Sequence, residues 1–457
     1  MRLKDKRIVV IGLGKSGFAA AKFLKVKKAR PSVTDGSANP EVLKNAWALR
    51  KLKVPVETGG HTASFIEEAE LVVTSPGVPK RSFPLLLAKK KKIPVISEVE
   101  LASYFCRGTV VAVTGSNGKT TTSHLISRSL AAAGRPNVLC GNVGHAFLDL
   151  IPKIKKKTVV VLELSSFQLE DSPSFRPKIA VVLNIGRNHL DRHGTFQKYI
   201  QAKERIFSNQ RREDFTILNH DDPWVRRMAE KTQGQVIFFS KKPLSKGVYL
   251  KNGQIIANLR NRNPLLIRTG NFRLKGAHNS ENILAAVAVA AILGLPQEKL
   301  QRSLDRFETL EHRIEPLGGC GGVQFVNDSK STTVESTKAA ILSFSAPIIL
   351  IAGGKDKGAD FGGLEPLLKD RVKQVILYGE AREKIAEAWK SYRSCQMTER
   401  FEEAVRLAYE SAGPGDAVLL SPMCTSFDQF GSFEERGEAF KEIVRKLKRT
   451  GENQWNP

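Results

Sequence analysis

Along most of the chain, short β-branched apolar runs alternate with segments of helical pattern. Ile8-Val9-Val10-Ile11 precedes a helical stretch from Phe18 to Leu24, and Pro31-Ser32-Val33-Thr34-Asp35 follows. Leu71-Val72-Val73-Thr74 and Ile93-Pro94-Val95-Ile96 extend the series. Strands this short, separated by helices, predict a parallel sheet covered by helices. After Arg107-Gly108 a new strand begins, so a second α/β domain is predicted from about residue 106. Its strands include Val159-Val160-Val161-Leu162-Glu163 and Ile179-Ala180-Val181-Val182-Leu183-Asn184. These are continuous apolar runs, as in strands buried on both faces. A strongly apolar helix, Asn282 to Leu293, closes that domain. A third α/β unit has strands at Pro347 to Ala352, Gln374 to Tyr378 and Asp416 to Ser421. The predicted boundaries are 1–105, 106–310 and 311–457, with no short-period repeat and no long low-complexity linker.

The length of 457 residues accommodates that many cores. No run of 18 apolar residues exists, so no membrane insertion is expected. The first apolar run is too short for a signal-peptide core. Five scattered cysteines lack metal-ligand spacing and read as free thiols in a reducing cytoplasm. The net charge of +26 is unusual, with tracts such as Lys89-Lys90-Lys91-Lys92 and Lys153 to Lys157. These tracts lack interleaved aromatics and read as solvated faces, so no nucleic-acid partner is expected. The excess still attracts polyanionic substrates such as nucleotides.

Chemistry concentrates at strand ends. The run Val110 to Val113 leads into Thr114-Gly115-Ser116-Asn117-Gly118-Lys119-Thr120-Thr121 and then a helix over His124 to Ala133. This is a phosphate-binding loop: glycines let backbone N–H groups close on phosphate oxygens, and the helix N-terminus adds positive potential. Lys119 reaches the outer phosphates and the Thr120 hydroxyl suits Mg²⁺. The first Gly of the usual G-x-x-x-x-G-K-[ST] pattern falls at Val113, which makes this a shortened variant. Gly12-Leu13-Gly14-Lys15-Ser16-Gly17, with Asp35 ending the next strand, matches a dinucleotide fingerprint. Taken alone it predicts a nicotinamide-dependent dehydrogenase, although the same turn holds any nucleotide diphosphate. Ser75-Pro76-Gly77 offers that ligand a second wall.

Glu163 closes a buried strand near the phosphate loop, a natural place for a Mg²⁺ ligand. His189 shares a short polar loop with Asp191, and Gly276-Ala277-His278-Asn279-Ser280-Glu281-Asn282 opens the apolar helix. In the third unit, polar turns at Asn327-Asp328-Ser329-Lys330, Gly353 to Asp360 and Ser421 to Gln429 suggest a shared binding rim.

In order and over nearly the whole chain, these motifs resemble the Mur ligase family of ATP-dependent amide-forming enzymes of peptidoglycan synthesis. The shared signals are the phosphate loop, Glu163, the His189 loop, Gly276/His278/Asn279/Asn282 and His312-Arg313. More selective ones are Gly12 to Gly17, Glu163 to Leu169, Asn327 to Lys330 and Leu420 to Phe433, which resemble the D-glutamate-adding branch. The resemblance implies three domains: a Rossmann-like N-terminal domain for the UDP precursor, a central P-loop ATPase-type domain with a mainly parallel sheet, and a C-terminal Rossmann-like α/β domain for the amino acid. It implies UDP-N-acetylmuramoyl-L-alanine, D-glutamate and ATP as substrates of a monomer, and an acyl phosphate between them. A relative taking another amino acid is the alternative. The resemblance places Lys119 and two Mg²⁺ ions on the migrating phosphoryl group, one ion held by Thr120 and Glu163 and the other by His189 and a carbamylated Lys203. It places Gly115, Ser116, Asn117, Gly118, Thr121, Asn279, Asn282, Arg313 and Asp328 around ATP. Gly14, Lys15, Ser16, Asp35, Ser75, Pro76, Gly77, Asn142 and Ser165 fall to the precursor, and Thr332, Lys357, Ser426 and Phe433 to D-glutamate. A cation at Lys357 suits a side-chain carboxylate. The Asp-Asn-Pro-Arg tetrapeptide of the diaminopimelate-adding type is absent. Gly36-Ser37 departs from the polar-basic pair expected after Asp35.

Overall fold

Arg7–Ile11 (β1) opens a parallel sheet with Arg30–Asp35 (β2), Val56–Thr58 (β3), Leu71–Thr74 (β4) and Val95–Ser97 (β5), in the order β3-β2-β1-β4-β5. Ile8 to Ile11 and all of β4 are buried, as the continuous apolar runs require. The computed structural model describes residues 1–186, 190–259, 264–274, 277–344, 346–356, 358–392 and 394–451, with the backbone alone for 190–191, 277–278 and 450–451.

The second sheet has nine strands. They are Thr109–Thr114 (β6), Asn137–Gly141 (β7), Val159–Glu163 (β8), Ile179–Val182 (β9), Phe215–Asn219 (β10), Gln235–Ser240 (β11), Gly247–Lys251 (β12), Gln254–Asn258 (β13) and Leu265–Arg268 (β14). Their order is β14-β13-β12-β11-β10-β9-β6-β8-β7. Pairing from β7 to β12 is parallel, and β12-β13-β14 is an antiparallel meander. Two residues, Asn252 and Gly253, join β12 to β13 with φ of 48° and 70°. That is the geometry a two-residue hairpin needs. The meander is why the sheet is mainly, not wholly, parallel.

These two sheets share one compact unit, Met1–Lys275 with Asn279–Phe307. Their buried side chains form one continuous core in which Leu101, Phe147 and Leu148 join the residues beneath both sheets. The other unit begins at Glu308. It contains a six-stranded sheet ordered β15-β16-β20-β17-β18-β19. Those strands are Glu315–Cys320 (β15), Val323–Asn327 (β16), Ile348–Gly353 (β17), Val372–Tyr378 (β18), Cys395–Met397 (β19) and Ala417–Met423 (β20). Only the edge strand β15 runs antiparallel. The protein is therefore α/β, with two parallel or mainly parallel sheets in the first unit and one in the second. Among the described residues no helix is long and apolar enough to cross a membrane.

Two predicted helices start earlier than the apolar pattern suggested. The helix after the phosphate loop spans Lys119–Ala132, because Gly118 turns the chain at φ 82° directly into it. The apolar helix spans Ala277–Leu293. Polar first turns hide helix starts from a hydrophobic pattern. Strand β20 runs through Pro422 to Met423, past the predicted end at Ser421.

Candidate active site

Strand β6 lies between β8 and β9 in its sheet, so the loop after it is flanked by both neighbouring strand ends. No side chain caps the helix from Lys119, and an uncapped helix N-terminus is a favourable place for an anion. Gly118 is required twice over. Its φ is positive, and a Cβ there would stand 2.2 Å from Asn282 Oδ1. Asn282 is buried behind the loop, accepts from Thr122 Oγ1 at 3.2 Å and donates to Asn279 Oδ1 at 3.1 Å. From the β9 side, Asn184 Oδ1 accepts from Asn117 N at 2.8 Å and the Asn184 carbonyl accepts from Ser116 N at 2.9 Å. Ser116 Oγ accepts from Gly186 N at 2.8 Å and shares a 2.8 Å hydrogen bond with Tyr199 OH.

Two lysines meet at this loop. Lys119 Nζ donates to the Gly115 and Ser116 carbonyls, each at 2.9 Å. Lys203 Nζ, buried at 2% exposure, donates to the same Gly115 carbonyl at 2.8 Å. Burial lowers the Lys203 amine well below the ordinary lysine range, Lys119 lowers it further, and Glu163 opposes both. Glu163, at the end of β8, is buried; its Oε1 accepts from Asn142 Nδ2 at 2.8 Å. Its other carboxylate oxygen has no partner among the described residues, nor has the buried Thr121 hydroxyl. Buried oxygens left open beside a phosphate-binding turn are hard ligands of the kind Mg²⁺ takes. Thr120 is also buried there. Ser165 acts locally: it caps the helix Ser166–Glu170 in a capping box with Gln168.

At the first sheet's carboxyl edge, a cavity of about 470 Å³ is lined by Gly14, Lys15, Ser16, Asp35, Ser75, Pro76 and Gly77, together with His61. A Cβ on Gly17 would stand 1.8 Å from the Gly12 carbonyl oxygen, so the turn tolerates no side chain. Asp35 holds the turn in place, accepting from Leu13 N at 2.6 Å and Ser37 N at 2.8 Å. The Lys15–Val26 helix, like the one at Lys119, begins without a side-chain cap.

In the second unit the turns after β16 and β20 come together beside the start of the last helix. Asp328 is fully buried and accepts from Ser421 Oγ at 2.8 Å and Ile314 N at 3.2 Å. Burial pushes its carboxyl up to about 6, against Ser331, Arg313 and Ser421. Arg313 Nε is buried with no hydrogen-bond partner among the described residues. Phe433 packs edge-on to His312 and beneath Lys330 Nζ, and its carbonyl accepts from Ser329 Oγ. Thr332 is half-buried and Ser426 buried on the same turns. Arg436 binds those turns together. It is wholly buried and donates to the Ser329 and Cys424 carbonyls and to Ser329 Oγ, all within 3.3 Å.

His189 and Lys357 lie outside the described residues. Tyr199 and Asn184 hold the phosphate-loop turn, His61 lines the first sheet's cavity and Arg436 ties the turns of the second unit, yet none of them carries a signal by spacing. Each is recruited by tertiary packing.

Residues 113–290 match the Mur ligase middle domain, residues 6–97 the MurD-like N-terminal domain of Mur ligases, and residues 312–424 the glutamate ligase domain of Mur ligases. The chain is 43% identical over 448 residues to a UDP-N-acetylmuramoylalanine–D-glutamate ligase of Geotalea uraniireducens, covering 98% of this chain and 99% of that one. A protein of the same name from Koribacter versatilis is 42% identical over the same shares. Among solved structures, a UDP-N-acetylmuramate–alanine ligase of Thermotoga maritima superposes with TM-score 0.61 at 17% identity, covering 97% of this chain and all of that one. A pseudomurein peptide ligase of Methanothermus fervidus gives 0.59 at 19% identity over the same shares. At those identities the two structures bear on the fold alone.

Proposed function

The chain belongs to the Mur ligase family, and we propose that it joins D-glutamate to UDP-N-acetylmuramoyl-L-alanine, driven by ATP, in the cytoplasmic synthesis of peptidoglycan precursors. One observation carries this: likeness at 43% identity over 98% of the chain to a ligase of that name.

The precursor carboxylate attacks the γ-phosphorus of ATP, ADP leaves, and an acyl phosphate forms. The amine of D-glutamate then attacks the acyl carbon, loses a proton and expels phosphate. Residues 1–105 hold the UDP moiety on the Gly12 to Gly17 turn. Residues 106–310 hold ATP on Gly115 to Thr121, with Asn279 and Asn282 behind the loop. Residues 311–457 take the amino acid through Thr332, Lys357, Ser426 and Phe433. Lys119 releases the loop carbonyls and turns to the outer phosphates as they arrive. Asn142 and Ser165 stand at the β7 and β8 ends, beside Glu163, where the reacting carboxylate must come.

Mg²⁺ supplies charge neutralisation for the phosphoryl group in transit. Thr120 and the open oxygen of Glu163 suit one ion. For a second, His189 is joined by Lys203. Burial weakens the hold of the Lys203 amine on its proton, and the neutral amine is a nucleophile for CO₂: its nitrogen bonds the carbon, one proton leaves, and the neutral amine becomes an anionic carbamate. We take the working form to be a monomer.

The experiment is phosphate release from ATP with the muramoyl-alanine nucleotide, across D-glutamate, L-alanine, L-lysine and meso-diaminopimelate. Release is expected with D-glutamate only. Release with another amino acid instead retains the ligase chemistry and overturns the pocket.

A further inference from the structure

His61 lies three residues past β3, on the rim of the N-terminal cavity. Its Nδ1 is 2.7 Å from Thr34 Oγ1. The Thr34 hydroxyl has a single proton, and its two other neighbours only accept: a Glu57 carboxylate oxygen at 2.7 Å and the Gly60 carbonyl at 3.3 Å. Burial pushes the Glu57 carboxyl up, but hydrogen bonds from Thr34 and Thr62 outweigh it and hold the group below the usual carboxylate range. Glu57 is thus ionised at neutral pH and takes the Thr34 proton. His61 Nδ1 must therefore carry a hydrogen and donate it to Thr34. In the neutral ring this leaves Nε2 as a bare acceptor.

Nε2 has no hydrogen-bond partner among the described residues. It comes within 3.0 Å of where a Cβ on Gly36 would stand. The glycine at this departure from the family pattern is what gives the imidazole its place. Nucleotides on such sheets lie across the carboxyl edge, with diphosphate on the first Gly-rich turn and ribose at the end of the second strand. The base then falls toward the β3 end, where His61 stands.

The geometry assigns His61 as the residue that reads the base, its Nε2 accepting the N3–H of uracil. This rests on the reading of a uridine diphosphate precursor given above. Cytosine presents a bare acceptor at the same position, so two lone pairs would face one another and the site would reject it.

Calorimetric titration of the full chain with UDP and with CDP tests this, using wild type, His61→Asn and His61→Gln. The glutamine oxygen reaches about where Nε2 stood; asparagine offers Thr34 a partner at the Nδ1 position but leaves no acceptor further out. Wild type is expected to prefer UDP about tenfold, His61→Gln to retain most of that preference, and His61→Asn to lose it with CDP affinity unchanged. Equal weakening of both nucleotides in His61→Asn would mean a packing or phosphate role and would overturn the assignment. So would an unchanged ratio, or a loss of the ratio in both variants alike. If wild type binds no UDP while still binding ATP, the uridine-nucleotide reading itself fails, and the His61 assignment with it.

Discussion

Lys203 Nζ and Lys119 Nζ converge on one acceptor, the Gly115 carbonyl, at 2.8 and 2.9 Å. Two ammonium groups sharing one oxygen repel each other, and the cost falls on the more buried, Lys203. The loop thus holds one lysine ready for phosphate and weakens the hold of the other on its proton. A phosphate that draws Lys119 away relieves both.

Lys119→Ala should lower turnover by at least a thousandfold, because the outer phosphates lose their counter-charge. ADP release in the presence of both other substrates measures it. Near-normal turnover would remove Lys119 from the chemistry.

Lys203→Met should abolish turnover yet change how stability depends on pH. The folded amine titrates well below the unfolded one, so between those two values the unfolded chain binds more protons and wild-type stability rises with pH. Methionine removes that slope. The thermal midpoint of the variant minus that of wild type should therefore shrink as pH rises from 7 to 10; a constant difference would mean Lys203 is not depressed. Partial rescue of Lys203→Ala by short carboxylates would support the carbamate, and its failure in a folded variant would count against it.

Gly118→Ala forces a side chain into a φ of 82° and within 2.2 Å of Asn282 Oδ1. We expect a loss of about 1–3 kcal/mol in stability, with ATP affinity falling in parallel. Adding Asn282→Ala should recover part of the stability and not the ATP affinity, if Asn282 also serves the nucleotide. Urea titration and nucleotide binding separate the two.

Arg436→Met strips donors from the Ser329 and Cys424 carbonyls in a fully buried place. The expected loss is about 3 kcal/mol. Arg436→Lys restores charge but not the fork, and should stay close to the methionine variant. Because the turns it ties carry Thr332 and Ser426, the KM for D-glutamate should rise more than that for ATP. An equal rise would make Arg436 a fold residue only.

The strand and turn chemistry that built the site was largely legible. Runs such as Val159 to Glu163 are buried on both faces, and Gly118 and Lys119 sit where a phosphate loop needs them. The β12–β13 hairpin carries a local signal in Asn252-Gly253, but the βα alternation of the surrounding chain points to parallel strands instead. His61, Tyr199 and Arg436 were illegible for a different reason. Their partners are 27, 83 and 107 residues away, so only folding reveals them. The Asp35 fingerprint predicts a nucleotide turn, and in the structure its carboxylate oxygens secure their own loop.

Glu98 is a buried acid outside the reacting groups. Only 3% exposed, it accepts from Leu148 N at 2.6 Å, and burial pushes it up to about 7, with Asp149 adding to the rise and Lys15 opposing it. The unfolded carboxyl titrates near 4.5. Between those values the folded chain keeps a proton that the unfolded chain has lost, so stability falls as pH rises through the window. A rise from 4.5 to about 7 corresponds to about 3 kcal/mol lost by pH 8. Glu98→Gln keeps the oxygen that Leu148 N needs and cannot ionise. It should match wild type near pH 4.5 and exceed it by about 3 kcal/mol at pH 8 in urea unfolding. Equal stability of the two proteins at pH 8 would mean that Glu98 ionises without cost, and that water or Lys15 compensates its charge inside the core.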